Sequence, residues 1–343
     1  MARSYTGVDM GTSRIVCSRP LGGELSISSE LNSYIRVGDS PAVRQSLHAK
    51  NIRYTVLNGI IQLEGFASLP FARLYNADLQ RTMRLGCINS SEPDAINVLA
   101  RITSDLVGQA AAANSELVFS IPSPPVGTAV GQVPPAFLHH QLVLKRMFEE
   151  LGYNAKPMPE GESVIYSELR ESGYTGLGIS FGAGLVNVAF TYLALPVMAF
   201  SLERGGDMID SNSAAVVGEK ATRVRMFKES DFAFTNENRD PTSRAIHMFY
   251  LDLIDFVVKG ITAAFSDLQS LPQLDAPIPV VIAGGTAMPN GFLQVFERAL
   301  RAARLPIEFS VVRLAKNPLN AVSLGCLEYA KANFGNEGSL ELR

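Results

Sequence analysis

Residues 176–190 read GLGISFGAGLVNVAF, two apolar runs rich in β-branched residues joined by the turn Gly182–Ala183–Gly184. Glycine at such a turn lets a backbone pass close to another atom, and successive N–H groups there make a seat for an anion. The whole stretch carries no charged side chain, so any metal accompanying a phosphate must find its carboxylate elsewhere in the chain. The uncharged run continues to Leu202, long enough by itself for a membrane span of about 20 residues. Its glycines, Asn187 and Pro196 predict buried strands joined by turns instead.

Two more glycine turns follow apolar strands. GVDMGTSR (7–14) is a strand ending in a polar turn. VVIAGGTAMPNGF (280–292) is a strand, paired glycines and a helix start. Between them the pattern predicts extended structure over 33–61, with turns at Gly38–Asp39 and Asn58–Gly59. It predicts helices from Glu92 or Pro93 to about Ala113, over HHQLVLKRMFEELG, over GESVIYSELRESG, and from about Ser243 to Ser270. Residues 62–91 fit no single pattern. A strand–turn–strand–helix theme near residue 10 recurs near residue 182, which predicts an α/β protein of two lobes facing each other across a cleft.

The bulk composition narrows the function classes. With 343 residues, 47% hydrophobic, 18% charged and a net charge of −3, the chain has no basic surplus for nucleic acid. Cys17, Cys87 and Cys326 are scattered, as expected of reduced thiols in a cytoplasmic protein. His139–His140 reads as surface or helix-start chemistry rather than a metal site. The start, MARSYTGVDMGTS, has neither the apolar core of a signal peptide nor an anchor helix, so no membrane insertion is expected.

At the first turn, Gly11, Thr12 and Ser13 offer N–H and hydroxyl donors to phosphate oxygens. Arg14 adds charge there, and Asp9 would face a hydrated divalent cation. At the third, Gly284 and Gly285 let the backbone approach a flat ligand.

These motifs, in this order, resemble the actin-like ATPase superfamily. VDMGTSR and ISFGAGLVNVAF are similar to its two phosphate loops, and VVIAGGTAMPNGF to its adenosine motif. VFSIPSPP and NPLNAVSLGCLEYA resemble its connecting segments, and Gly205–Gly206–Asp207 the loop after the second phosphate hairpin. YTVLNGIIQ and VRMFKESDFAF resemble the bacterial filament-forming branch, of MreB/MamK type. The resemblance spans Gly7 to Ala330.

It implies a bilobed α/β fold around a nucleotide cleft. Residues 1–150 with 320–343 would form one lobe, with an outer subdomain at about 31–91. Residues 151–319 would form the other, with an outer subdomain at about 207–255. ATP or ADP with Mg²⁺ would sit between Gly11–Arg14, Gly182–Gly184 and Gly205–Asp207 on the phosphate side, and Gly284, Gly285, Thr286, Met288 and Lys228 on the purine side. Asp9 would hold the metal, with Ser180, where the family has aspartate, acting through water. GESVIYSEL would place Glu162 as the residue orienting the attacking water.

The implied activity is nucleotide-gated self-assembly into filaments with slow ATP hydrolysis. The alternatives are an adaptor that binds nucleotide without turnover, recruiting a cargo or adaptor partner, and a small-molecule kinase. A kinase needs a carboxylate base for a substrate hydroxyl, and no second acidic site stands out.

Overall fold

A computed structural model describes residues 3–129, 131–234, 240–268 and 271–334. Its first sheet grows from β1 (Ser4–Met10), which buries Val8 and Met10, through antiparallel β2 (Arg14–Leu21) and β3 (Glu24–Leu31). An outer unit follows: β4 (Ser33–Gly38), α1 (Pro41–Ala49), β5 (Thr55–Leu57), β6 (Ile60–Glu64), α2 (Leu69–Leu74) and β7 (Gln80–Arg81). Its sheet runs β5-β6-β4-β7 and has a separate core of Val37, Leu47, Ile61, Leu63 and Phe71. The hairpin β8 (Met83–Arg84) and β9 (Cys87–Ile88) leads to α3 (Ala95–Val107). Then β10 (Ser115–Ile121), α4 (Pro135–Glu150) and β11 (Asn154–Pro159) complete the five-stranded sheet β11-β10-β1-β2-β3.

The second half repeats this plan. It comprises α5 (Glu160–Glu168), β12 (Gly176–Phe181), β13 (Val186–Tyr192), β14 (Leu195–Leu202), α6 (Gly206–Val217), α7 (Ala221–Ser230) and α8 (Pro241–Ser266). Next come β15 (Ile278–Ala283), α9 (Phe292–Ala302), β16 (Phe309–Leu314) and α10 (Ala321–Phe334). The sheet order β14-β13-β12-β15-β16 matches the first, with antiparallel neighbours on one side of the central strand and parallel ones on the other. The match also shows in the sequence, because GVDMGT (7–12) and GISFGA (178–183) align Gly7 with Gly178, Asp9 with Ser180 and Gly11 with Gly182.

Two helices join the sheets, α10 lying on β1 and β10 while α5 lies on β12 and β13. Each rests on a glycine. A Cβ on Gly7 would stand 2.1 Å from the Ser323 carbonyl oxygen, and one on Gly178 2.4 Å from that of Gly161. The helices themselves cross where a Cβ on Gly325 would come within 1.7 Å of the Ser163 carbonyl oxygen. At these three points the missing side chain is what sets the distance between layers.

The structure departs from the sequence expectations in places. Residues 41–49 form a helix rather than extended chain. The Ser40 side chain caps it by accepting from the Val43 N–H, and Pro41 opens its first turn. Asn58 and Gly59 do form the turn between β5 and β6, at φ 50° and 73°. Helix α3 stops at Gly108, φ 72°, short of Ala113. Residues 176–202 are β12 to β14, and no helix among the described residues is long and apolar enough to cross a membrane. His140 lies in the core of α4 and not at the surface; its ring nitrogens have no partner among the described residues, and burial lowers its pKa to about 4. The ends of two expectations, Ser270 and residues 335–343, lie outside the described residues.

The helix crossing yields a direct test. Gly325→Ala should cost roughly 4 kcal/mol or more, because the opposing atom is a backbone carbonyl that cannot move aside. A Cβ on Gly38 meets nothing within 4 Å, and Gly38→Ala should stay within about 0.5 kcal/mol of wild type. Urea unfolding followed by circular dichroism compares the two.

Candidate functional site

The carboxyl ends of β1, β10, β12 and β15 open into one cavity of about 490 Å³. Such a place, where strands of two sheets end together, is where α/β proteins bind ligands. The three glycine turns converge on it. Asp9, Gly11, Thr12, Ser13, Arg14, Ser180, Gly182, Ala183, Gly184, Gly206, Asp207, Lys228, Gly284, Gly285, Thr286 and Met288 line it. Gly205 and Glu162 do not.

Glu160, two residues before Glu162, occupies the cavity wall instead. Along a helix two residues lie about 200° apart, so the two carboxylates leave α5 on opposite faces. The residue between them fixes which faces inward. A Cβ on Gly161 would stand 2.8 Å from the Ala189 amide nitrogen, so that position is pressed against β13. Glu162 is half-buried outside the cavity lining, where burial raises its carboxyl to a pKa of about 6. Glu162, expected to orient a water, therefore does not line the cavity, and Glu160 is the carboxylate that does.

Glu160 and Asp9 form the electrostatic centre. The Ser120 hydroxyl donates to Asp9 Oδ1 at 3.0 Å. The Ser180 hydroxyl donates to Glu160 Oε1 at 2.5 Å, and Asn187 Nδ2 to Oε2 at 2.9 Å. Burial pushes both carboxyls well above the usual carboxylate range, and the Asp9 charge raises Glu160 further. The Ser180 hydroxyl proton is thus engaged with Glu160. Ser120 and Asn187, which hold this pair, had no signal in the sequence.

The loops support one another. Gly206 N–H donates to the Gly182 carbonyl at 3.0 Å, and Asp207 N–H to that of Ala183 at 2.8 Å. The Thr286 hydroxyl also donates to Gly182, at 2.9 Å. A Cβ on Gly205 would press into the Ala183 carbonyl at 2.4 Å, so this glycine serves loop packing and not the cavity. The Thr12 hydroxyl accepts from Gly86 N–H at 3.2 Å, and the Arg14 guanidinium lies over the Phe66 ring at 5.2 Å. By contrast the N–H groups of Ala183 and Gly184 donate to no backbone carbonyl among the described residues. Turn donors that line a cavity in this way make a seat for an anion.

Three cations around the cavity are already paired. Lys228 forms an ion pair with Asp210 at 2.6 Å and donates to the Gly206 carbonyl, so it braces α7 on α6 and presents no free charge. Arg225, unseen in the sequence reading, donates to Ser13 Oγ at 2.6 Å across the cleft and to Glu229 at 2.8 Å. Arg81 pairs with Asp207 at 3.1 Å. At the far end Phe232 stacks on Tyr250, with ring centroids 5.4 Å apart, and both line the cavity near Met288. One end is therefore rich in backbone donors and carboxylates, the other flat and apolar.

Comparison with solved structures gives the same architecture. The chain is similar to the MamK double helical filament at 16% identity, with a TM-score of 0.67 over 96% of this chain and 99% of that one. A non-polymerising MamK mutant bound to AMPPNP matches at 16% identity and a TM-score of 0.57, with the same coverage. The ethanolamine utilization protein EutJ from Carboxydothermus hydrogenoformans matches at 16% identity and 0.55, over 96% of this chain and 90% of that one. These likenesses show the bilobed actin-like ATPase fold. No curated protein matches the sequence. The family model of volactin matches residues 4–330, nearly the whole chain, and the protein belongs to the volactin family.

Proposed function

We propose that the cleft binds a purine nucleoside triphosphate, ATP by preference of the resemblance, together with Mg²⁺, and that the bound nucleotide governs self-association into filaments. The observation that carries this reading is the Asp9–Glu160 pair. Two neighbouring carboxylates deep in a cavity are unfavourable together unless a proton or a cation joins them. Lys228, Arg81 and Arg225 are spent on other partners. A divalent cation arriving with phosphates fits that donor set, since Mg²⁺ takes one or two carboxylates and completes its shell with water and phosphate oxygens. Asp9 and Glu160 would hold the ion, which when bound offsets the phosphate charge.

The chain's own groups suit the rest of the ligand. The Ala183 and Gly184 N–H groups and the Gly11–Ser13 turn would receive phosphate oxygens. Phe232, Tyr250 and Met288 offer apolar contact to a base. Glu160 is the candidate to orient an attacking water and take up its proton. Both its oxygens already accept hydrogen bonds, from Ser180 and Asn187, which fixes its direction. Burial and the Asp9 charge keep it protonated much of the time near neutral pH, and slow hydrolysis follows from that.

The likeness to the MamK filament supports the self-association half of the reading. A nucleotide-binding adaptor is the second reading, favoured by the double hydrogen bonding of Glu160, which would leave it a structural ligand.

Three measurements test this. Calorimetric titration should show Mg–ATP binding to wild type. Gly285→Asp should weaken it at least about tenfold, since a Cβ there meets only the tip of Leu319, at 3.3 Å, and the new carboxylate enters the cavity. Phosphate release should fall at least about tenfold in Glu160→Gln and stay near wild type in Glu162→Gln; equal loss in both would remove Glu160 from its role. Sedimentation should give polymer with ATP and less with ADP, whereas a monomer in every nucleotide state would select the adaptor.

A further inference from the structure

Contacts between residues far apart in sequence join the first lobe's outer unit to the start of α7. The Thr222 N–H donates to Asp78 Oδ1 at 3.0 Å, and the Leu79 N–H donates to Thr222 Oγ1 at 3.1 Å. Arg73 Nε reaches Met226 Sδ at 3.0 Å beside them. Asp78 and Leu79 belong to the first lobe's outer unit, between α2 and β7. Thr222 lies in the first turn of α7, on the other side of the cleft.

Helix α7 lacks a cap of its own. Its N-cap position holds Lys220, in the extended conformation a cap requires (φ −83°, ψ 138°), with no side-chain hydrogen bond to the first turn. Lysine has no acceptor to offer and places positive charge at the positive end of the helix. Asp78 supplies in trans what Lys220 withholds: an acceptor for an orphan N–H and a negative charge at the helix N-terminus. Thr222 returns a hydrogen bond to the opposite backbone, so each lobe satisfies a donor of the other.

The arrangement ties the mouth to the cavity. One to two turns beyond Thr222, α7 carries Arg225, Lys228 and Glu229, all of which line the cavity. Two residues beyond Leu79, Arg81 pairs with Asp207 and donates to the Thr12 carbonyl at 3.4 Å. Parting the outer units breaks the reciprocal bonds and leaves the start of α7 uncapped.

We propose that the reciprocal cap between Asp78–Leu79 and Thr222 is a latch that holds the cleft mouth shut and limits the rate at which a bound purine nucleotide leaves. The proposal rests on nucleotide occupying the cleft, but the latch itself is observable without ligand.

Release of a fluorescent ATP analogue, chased with excess Mg–ATP, measures the gate. Loss of one helix cap corresponds to roughly a fivefold change in an equilibrium, and Asp78→Ala should speed release by about that factor. Adding Lys220→Ser gives α7 a cap in cis. It should restore thermal stability while leaving release fast, because the lobes remain unlinked. Spin labels at positions 75 and 223, exposed on either side of the contact, read the mouth in the ligand-free chain. Asp78→Ala should lengthen or broaden their distance distribution. Unchanged release with unchanged label distances overturns the latch, and so does recovery of slow release by Lys220→Ser, which would mean that only helix stability mattered. If the analogue does not bind at all, the nucleotide reading fails and the label distances alone decide: a longer distance in Asp78→Ala supports the latch, an unchanged one removes it.

Discussion

Helices α5 and α10 cross with backbone against backbone at Ser163 and Gly325, and everything functional in the molecule hangs from that contact. Any side chain larger than hydrogen at Gly325 would occupy the Ser163 carbonyl. The same closeness recurs where α10 meets β1 at Gly7 and α5 meets β12 at Gly178. Four layers are thereby locked in register, sheet, helix, helix, sheet. Asp9 lies two residues beyond Gly7, and Glu160 one residue before Gly161, whose carbonyl faces Gly178. Close packing of this kind transmits position with little play, so the two carboxylates are fixed relative to each other by glycines and not by any partner of opposite charge.

That placement creates an electrostatic problem within the protein alone. Asp9 and Glu160 receive hydrogen bonds from Ser120, Ser180 and Asn187, which satisfy lone pairs but do not cancel like charge. Three cations near the cavity are committed elsewhere: Lys228 to Asp210, Arg81 to Asp207, Arg225 to Ser13 and Glu229. Serine at position 180, the counterpart of Asp9 in the internal repeat, avoids a third carboxylate and turns an acceptor into a donor. The opening puzzle of an uncharged phosphate-type turn has its answer here, because the carboxylates come from β1 and from α5.

The glycine turns were legible in the sequence because glycine before and after an apolar strand has few other uses. The cavity gathers almost every residue they pointed to. The two-lobed repeat was legible as a rhythm of elements, although its trace in GVDMGT and GISFGA was available as well. What failed was phase. Glu160 and Glu162 are both first-turn acids of one short helix, and only the press of Gly161 against β13 tells which faces the cleft. Helix α1 was missed although Ser40–Pro41 is a cap followed by a helix-opening proline. The pairs Arg225–Ser13, Arg81–Asp207 and Asp78–Thr222 join residues more than a hundred positions apart, and no local pattern announces them. His140 was misjudged because a histidine pair carries no sign of burial.

The central claim is that Asp9 and Glu160 form a charge site completed by a cation that arrives with its nucleotide. Its signature is a proton count. Near neutral pH the ligand-free pair retains protons, since burial raises both carboxyls and the Asp9 charge raises Glu160 further. Binding a cation there must expel them. Titration of Mg–ATP into the protein at pH 7, in two buffers of different ionisation enthalpy, measures this directly. The account predicts net proton release on binding, diminished in Asp9→Asn. Binding whose heat is independent of the buffer would contradict it.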